Sequence, residues 1–284
     1  LKHRQLPVWI LTAALPLVAL AGCGSSANPL HAVRKAARNT LTLSAQSTLA
    51  LTGAPLFGGQ PGTILGRGEF SFPRGLGYEA LQLPARGRRA SGTAYLVFLP
   101  KRLWIKPVVN TQLPQGDLWI SATFTDSRSA GSTTPSLALV LESMNPQLFL
   151  EEIATGAVAA SSAGHRVVNH VPLTEYVVSV DLRLALATAR TTGALRSAMQ
   201  QELAALRATD AGSLVRIVAL VDGVGRVAQL QASPPGSKLG TVQIGLPRFG
   251  GTIPLSLPLP SQTADIGSLR RSQGAAAAPW VFTG

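Results

Sequence analysis

Asp222-Gly223-Val224-Gly225-Arg226-Val227-Ala228 contains the G-x-G-x-x-A spacing that, between a strand and a helix, cradles a dinucleotide pyrophosphate on backbone N–H groups. Here the run after Gly225, Arg226 to Gln231, is strand-like, and Asp-Gly between two strand patterns signals a hairpin turn. His165 and His170 are the only histidines close together, as a metal site would need. Five residues apart on a strand, they point to opposite faces, and the nearest acid is Glu175. Glu151 and Glu152 adjoin on a helix, about 100° apart around it, which is the wrong geometry for a facing carboxylate pair. They are expected on a solvated edge. The sequence holds no G-x-S-x-G elbow, H-E-x-x-H pair or P-loop, and a dispersed serine triad would have only His31, His165 and His170 as bases. No catalytic, metal or cofactor set emerges, and the expected protein is not an enzyme.

The single cysteine permits no intramolecular disulfide and no multi-thiolate metal centre. Its position is informative. Lys2, His3 and Arg4 precede an uncharged, mostly apolar run from Leu6 to Ala21 that contains Pro7 and Pro16 and leads into Leu20-Ala21-Gly22-Cys23. That run is shorter than the roughly 20 apolar residues a spanning helix wants, so it reads as an export signal. Leu-Ala-Gly-Cys resembles the lipobox of bacterial lipoproteins, in which the cysteine sulfur receives a diacylglyceryl group and signal peptidase II cuts just before it. The resemblance implies that Cys23 is the lipidated mature N-terminus, held at the outer side of the cell membrane. Each buried methylene contributes about 0.8 kcal/mol, and two chains make a stable anchor.

The 284 residues are 46% hydrophobic and 13% charged, with a mean hydropathy of +0.25, which argues against a long disordered region. The formal charge is +12. Removing residues 1–22 takes away Lys2 and Arg4, leaving 262 residues and a charge of +10. Outside the cell membrane such a charge has no chromosomal DNA to bind, but it suits anionic phospholipid headgroups. Arg86, Arg88 and Arg89, followed by Lys101, Arg102 and Lys106, form a basic cluster that is either a solvated surface or a headgroup contact.

Behind a small-residue tether, residues 23–27, Asn28-Pro29 opens a helix with Leu30, Val33, Ala36 and Ala37 on one face. From Leu41 the period becomes two, with Leu41, Leu43, Ala45, Leu49 and Leu51 sharing a face. Further strands are expected at 64–72, 76–83, 93–99, 102–106 and 117–124. Asn145-Pro146 opens a second helix, with Leu148, Phe149, Ile153 and Ala157 in an apolar stripe. Strands follow at 165–169 and 175–180, then a helix over 182–208 that Gly193 bends or breaks, then strands at 214–221, 226–231, 239–246 and 252–257. This order excludes alternating parallel βαβ units.

Taken in order, these pieces resemble the LppX/LprG-like lipoproteins of actinobacteria and, more remotely, the LolA/LolB lipoprotein carriers. The likeness runs through the lipobox, Asn28-Pro29-Leu30, Arg102-Leu103-Trp104-Ile105, Asp117-Leu118-Trp119-Ile120, Asn145-Pro146, Gly164 to Asn169, Thr174-Glu175-Tyr176, Val180-Asp181-Leu182 and Val221 to Val227. It implies an α+β fold, a curved, half-open antiparallel sheet of about 10–12 strands wrapped around helices, with an apolar cavity for acyl chains. The expected layout is a leader over 1–22, a tether over 23–27, a single domain over 28–260 and a tail over 261–284. Face and size select Leu43, Leu49, Phe70, Phe72, Tyr78, Trp104, Trp119, Phe149 and Ile153 as pocket lining. Small inward candidates (Ala45, Gly66, Gly68) suggest an interior left incompletely filled if they line up. The expected function is to bind a lipid, glycolipid or acylated molecule and carry or present it in the cell envelope, with a lipid transporter as a further partner and no nucleic acid. An envelope scaffold with a filled core, or an esterase-like hydrolase, are the alternatives.

Overall fold

In this computed structural model, residues 28–54, 62–83, 91–107, 119–123, 142–189, 193–233, 240–253 and 257–265 are described. Cys23, the tether, Arg86, Arg88, Arg89 and the chain after Asp265 lie outside the described residues. Asparagine-then-proline begins two of the helices. The side chain of Asn28 accepts the Leu30 N–H at the start of α1 (Pro29–Leu41), and Asn145 accepts the Gln147 N–H at the start of α2 (Pro146–Gly156). The expected 182–208 helix is two helices. α3 (Leu182–Thr188) is capped by Asp181 and α4 (Ala194–Ala208) starts after Gly193, whose φ of +68° no helix interior tolerates.

Among the described residues twelve strands form one sheet: β1 (Ser44–Ala54), β2 (Gly62–Ser71), β3 (Leu76–Leu83), β4 (Gly92–Phe98), β5 (Arg102–Lys106), β6 (Trp119–Thr123), β7 (Ala157–Val168), β8 (Val171–Asp181), β9 (Leu214–Val221), β10 (Val227–Ala232), β11 (Thr241–Phe249) and β12 (Thr263–Asp265). Their spatial order is β12-β6-β5-β4-β3-β2-β1-β11-β10-β9-β8-β7. Two antiparallel meanders thus meet where β1 pairs with β11, and the sheet is open, ending on β7 and β12. β12 is the exception to antiparallel pairing, lying parallel to β6. A twisted sheet of this many strands curls rather than staying flat.

One face is predominantly apolar. Leu49, Leu51, Ile64, Phe70, Leu81, Leu96, Phe98, Leu103, Ile105 and Ile120 in the first meander, and Ile217, Leu230 and Ile244 in the second, are each no more than 3% exposed. They belong to one continuous core with Val33 and Ala36 of α1, Phe149 and Ile153 of α2, and Leu203 and Leu206 of α4. Thr40 of α1 tightens this packing: its hydroxyl donates to the Ala36 carbonyl at 2.8 Å and accepts the Val227 N–H of β10 at 2.9 Å. The fold is therefore α+β, an open and overwhelmingly antiparallel sheet with four helices among the described residues. The Asp222-Gly223 segment is a turn between β9 and β10, as its flanking strands require.

Three local expectations are corrected. Leu41 ends α1, and Leu43 lies in the bend before β1, because the Leu43 N–H still bonds to the Thr40 carbonyl at 3.0 Å. Thr252, Ile253 and Leu257 are in no strand. Glu152 is not on a solvated edge: it is 1% exposed, on a helix buried on nearly every side, and Glu151 is half-buried.

Glu152 has company. Glu79, Glu142 and Glu202 are also about 1% exposed, and no cation pairs with any of them among the described residues. Burial pushes Glu79 and Glu142 up to about 8, against the partial opposition of hydrogen bonds from Ser47 and Asn145. Glu152 of α2 and Glu202 of α4 bond to each other, and desolvation raises both; Glu152 keeps the proton and donates it to Glu202. These carboxyls are protonated in the folded state at pH values where an unfolded chain ionises them. Stability is then fully present below about pH 4.5 and falls as pH rises toward 8, by up to about 1.4 kcal/mol per pH unit for each such group. Thermal melts should give a lower midpoint at pH 8 than at pH 5.5, and Glu152→Gln should flatten that slope; an unchanged or rising midpoint would contradict the assignment.

Candidate functional site

Period-two alternation divides the nine residues expected to line a pocket. Leu49 (β1), Phe70 (β2), Phe72 (the turn after β2), Phe149 and Ile153 (both α2) enter the common core. Leu43 is half-buried beside β1. Tyr78, Trp104 and Trp119 go to the opposite, outer face: Tyr78 follows the inward Gly77, Trp104 lies between the inward Leu103 and Ile105, and Trp119 precedes the inward Ile120. The structure therefore brings five together and sends three away.

Two of the small inward positions, Gly66 and Gly68, are neighbours on one face of β2, and the space over both is occupied. Ser47, Gly68 and Glu79 form one cross-strand row on β1, β2 and β3. The Glu79 side chain lies over both Gly66 and Gly68, where a Cβ would collide with its carboxyl oxygens, and it accepts the Ser47 hydroxyl at 2.8 Å. The Phe70 ring covers Gly77 in the same way and packs on Phe98 with centroids 5.5 Å apart. The glycines are thus sockets for an acid and a ring. At the helical end of the core, Phe72 also borders a hollow of about 390 Å³ beside Leu41, Leu99 and Leu195.

A larger space opens on the other face. A groove of about 790 Å³ runs across β10, β11, β1 and β2. Thr48, Arg67 and Gly245, which line it, share one cross-strand row and alternate with the inward Leu49 and Ile244. Its lining mixes the apolar side chains of Ala50, Leu65, Val171, Leu173 and Ala228 with the polar ones of Thr48, Asn169, Gln229 and Gln243, and backbone is bare at Gly66 and Gly245. The wall on one side is the tip of the β7–β8 hairpin. That hairpin outruns β9, whose pairing with β8 stops at Thr174, and Leu173 beyond that point is 3% exposed.

Three guanidinium groups border the groove. Arg226 is held by Asp222, with Nε and Nη2 donating to Oδ2 at 2.8 and 2.7 Å, and its planar head lies 4.4 Å from the Phe249 centroid. Asp222 Oδ1 meanwhile accepts the Val224 and Arg226 N–H groups, locking the turn. Arg67 and Arg248 are exposed and form no ion pair among the described residues. The groove combines an apolar floor, which takes up hydrocarbon at about 25 cal/mol per Å² removed from water, with charged donors at its rim. Nucleophile, base and oxyanion donors do not converge there. His165, on β7, lies 3.3 Å from the Thr174 hydroxyl, and His170 sits at the hairpin tip with a φ of +65°.

Sequence reasoning missed Leu65, Arg67, Leu173 and Arg248. One available signal was the apolar Val168, Val171 and Leu173 close around the Asn169-His170 turn. The socket geometry makes its own prediction. Gly68→Ala forces a Cβ onto the Tyr78 carbonyl and the Glu79 carboxyl, so it should cost about 1–3 kcal/mol of stability in denaturant unfolding; a neutral substitution would mean that the socket is slack.

No protein-family model matches the chain, and no curated protein matches it. Among solved structures it is similar to the lipoprotein LppX from Mycobacterium tuberculosis, at 10% identity and a TM-score of 0.44 over 80% of this chain and 97% of that one. LprF from Mycobacterium bovis is similar at 9% identity and a TM-score of 0.43, over 82% of this chain and 96% of that one. A LolA superfamily protein from Nitrosomonas europaea is similar at 8% identity and a TM-score of 0.25, over 82% of this chain and 96% of its own.

Proposed function

We propose that the protein is a lipoprotein anchored through Cys23 at the extracytoplasmic face of the cell membrane, which binds a lipid or another acylated molecule and carries or presents it in the cell envelope. The observation that carries this reading is the groove of about 790 Å³, within the roughly 300–1,000 Å³ of small-molecule sites, with apolar side chains in its lining and guanidinium groups at its border. Acyl chains would lie along Leu65, Val171 and Leu173, with a polar or anionic headgroup at Arg67 and Arg248. Leu49, Phe70, Phe72, Phe149 and Ile153 belong to the apolar core on the other face of the sheet, which shapes the strands beneath the groove. The protein acts by holding its ligand, without converting it.

The test uses the full chain carrying Cys23→Ala, purified without detergent. Mass spectrometry of a solvent extract should find about one equivalent of a co-purified lipid. Leu65→Glu, which places a charge on the apolar floor at a position 51% exposed, should reduce its occupancy at least about tenfold with the fold intact. An empty extract, together with no binding of a fluorescent fatty acid, would overturn the proposal.

A further inference from the structure

The three aromatic residues that turn outward form a surface of their own. Along one cross-strand row of the outer face, Tyr95 (β4) lies opposite Lys106 (β5), and Trp119 of β6 comes next, since Ile105 faces Ile120. The Lys106 ammonium stands 6.0 Å from both the Tyr95 and the Trp119 ring centroids. In the adjacent row Tyr78, Val97, Trp104 and Ser121 follow one another, and the Arg102 guanidinium lies 6.0 Å over Trp104. Val97, only 4% exposed, is enclosed by the rings on either side, whereas Tyr95 is 39% exposed and Arg102 is open to solvent. The carboxylates on this face are at its flanks, Glu69 on β2 and Asp265 on β12.

We propose that this outer face of β4, β5 and β6 is a docking surface for a bilayer of anionic phospholipid. Tryptophan and tyrosine rings settle at the headgroup level, where one edge is apolar and the other wet, and lysine and arginine set among them reach the phosphates. The patch offers both chemistries at once. The charge of +10 on residues 23–284 supplies long-range attraction to the same surface. Docking would fix the orientation of a domain otherwise held to the membrane through Cys23 alone. The row continues through Ala80 to Arg67, so the docked face would bring one rim of the groove toward the headgroups. The proposal goes beyond lipid binding in the groove and does not require it, so the two can fail separately.

The test is binding of residues 23–284 carrying Cys23→Ala to vesicles of phosphatidylglycerol and of phosphatidylcholine. Binding to phosphatidylglycerol should be at least about tenfold tighter and should weaken with added salt, and brominated lipid should quench tryptophan fluorescence. Lys106→Glu with Arg102→Glu should lower that affinity about tenfold or more; Lys106→Gln with Arg102→Gln, which adds no acid, should lower it less while keeping the wild-type melting curve. Trp104→Phe with Trp119→Phe should remove most of the quenching. Equal affinity for the two vesicles would overturn the proposal. So would vesicle binding that survives the Lys106 and Arg102 substitutions but disappears in Arg67→Ala with Arg248→Ala, which would assign the contact to the groove rim. A stoichiometric protein that protects this face, with no vesicle binding, would make it a protein interface instead.

Discussion

Side chains on a pleated strand alternate strictly between two faces, and this sheet has one face in the core and one outside. Everything chemical in the molecule is sorted by that parity. The inner row Ser47–Gly68–Glu79 holds a protonated acid in a glycine socket, while the neighbouring outer row carries Thr48, Arg67, Ala80, Tyr95 and Lys106 from strand to strand. A slip of one residue in any of these pairings would put arginine and lysine into hydrocarbon and leucine into water. The groove and the aromatic patch are therefore products of the same register that builds the core.

The local signals were readable because they act over short distances. Asn28-Pro29 and Asn145-Pro146 satisfy orphan helix N–H groups within two residues, and Asp222 bonds to its own turn. Most strand positions followed from period two, the expected strand at 252–257 excepted. Face and size select Tyr78, Trp104 and Trp119 together with Leu49 and Phe70, but the face of each strand relative to its neighbours is set by cross-strand register, which places these three one residue out of step with the core. The burial of Glu152 was not legible, because its partner Glu202 arrives fifty residues later on another helix. Nor was the groove, which depends on β8 running past the end of β9 and on β11 lying beside β1.

The buried acids also bear on the charge of the exterior. Thirteen carboxyl residues offset twenty-five cationic ones in the formal count. Glu79, Glu142 and Glu152, held protonated by burial near neutral pH, contribute no negative charge to that balance. The outside of the molecule is thus more basic than its composition states. The fold keeps part of its acidity indoors, as neutral hydrogen-bond donors, and leaves arginine and lysine in the majority where a partner meets them.

The seam between β1 and β11 has a kinetic consequence. Ala45 pairs with Phe249 and Leu49 with Ile244, so a chain emerging amino end first builds the β1–β6 meander with the outer edge of β1 bare until some two hundred further residues have appeared. Contacts so distant in sequence are slow to form. During that interval β1 is an unpaired template for any other strand, including β1 of a second copy. Holdases that shield this edge would raise the yield of native protein, and a circular permutant opened between β6 and α2, which places β1 and β11 nearer in synthesis order, would fold faster than the natural chain.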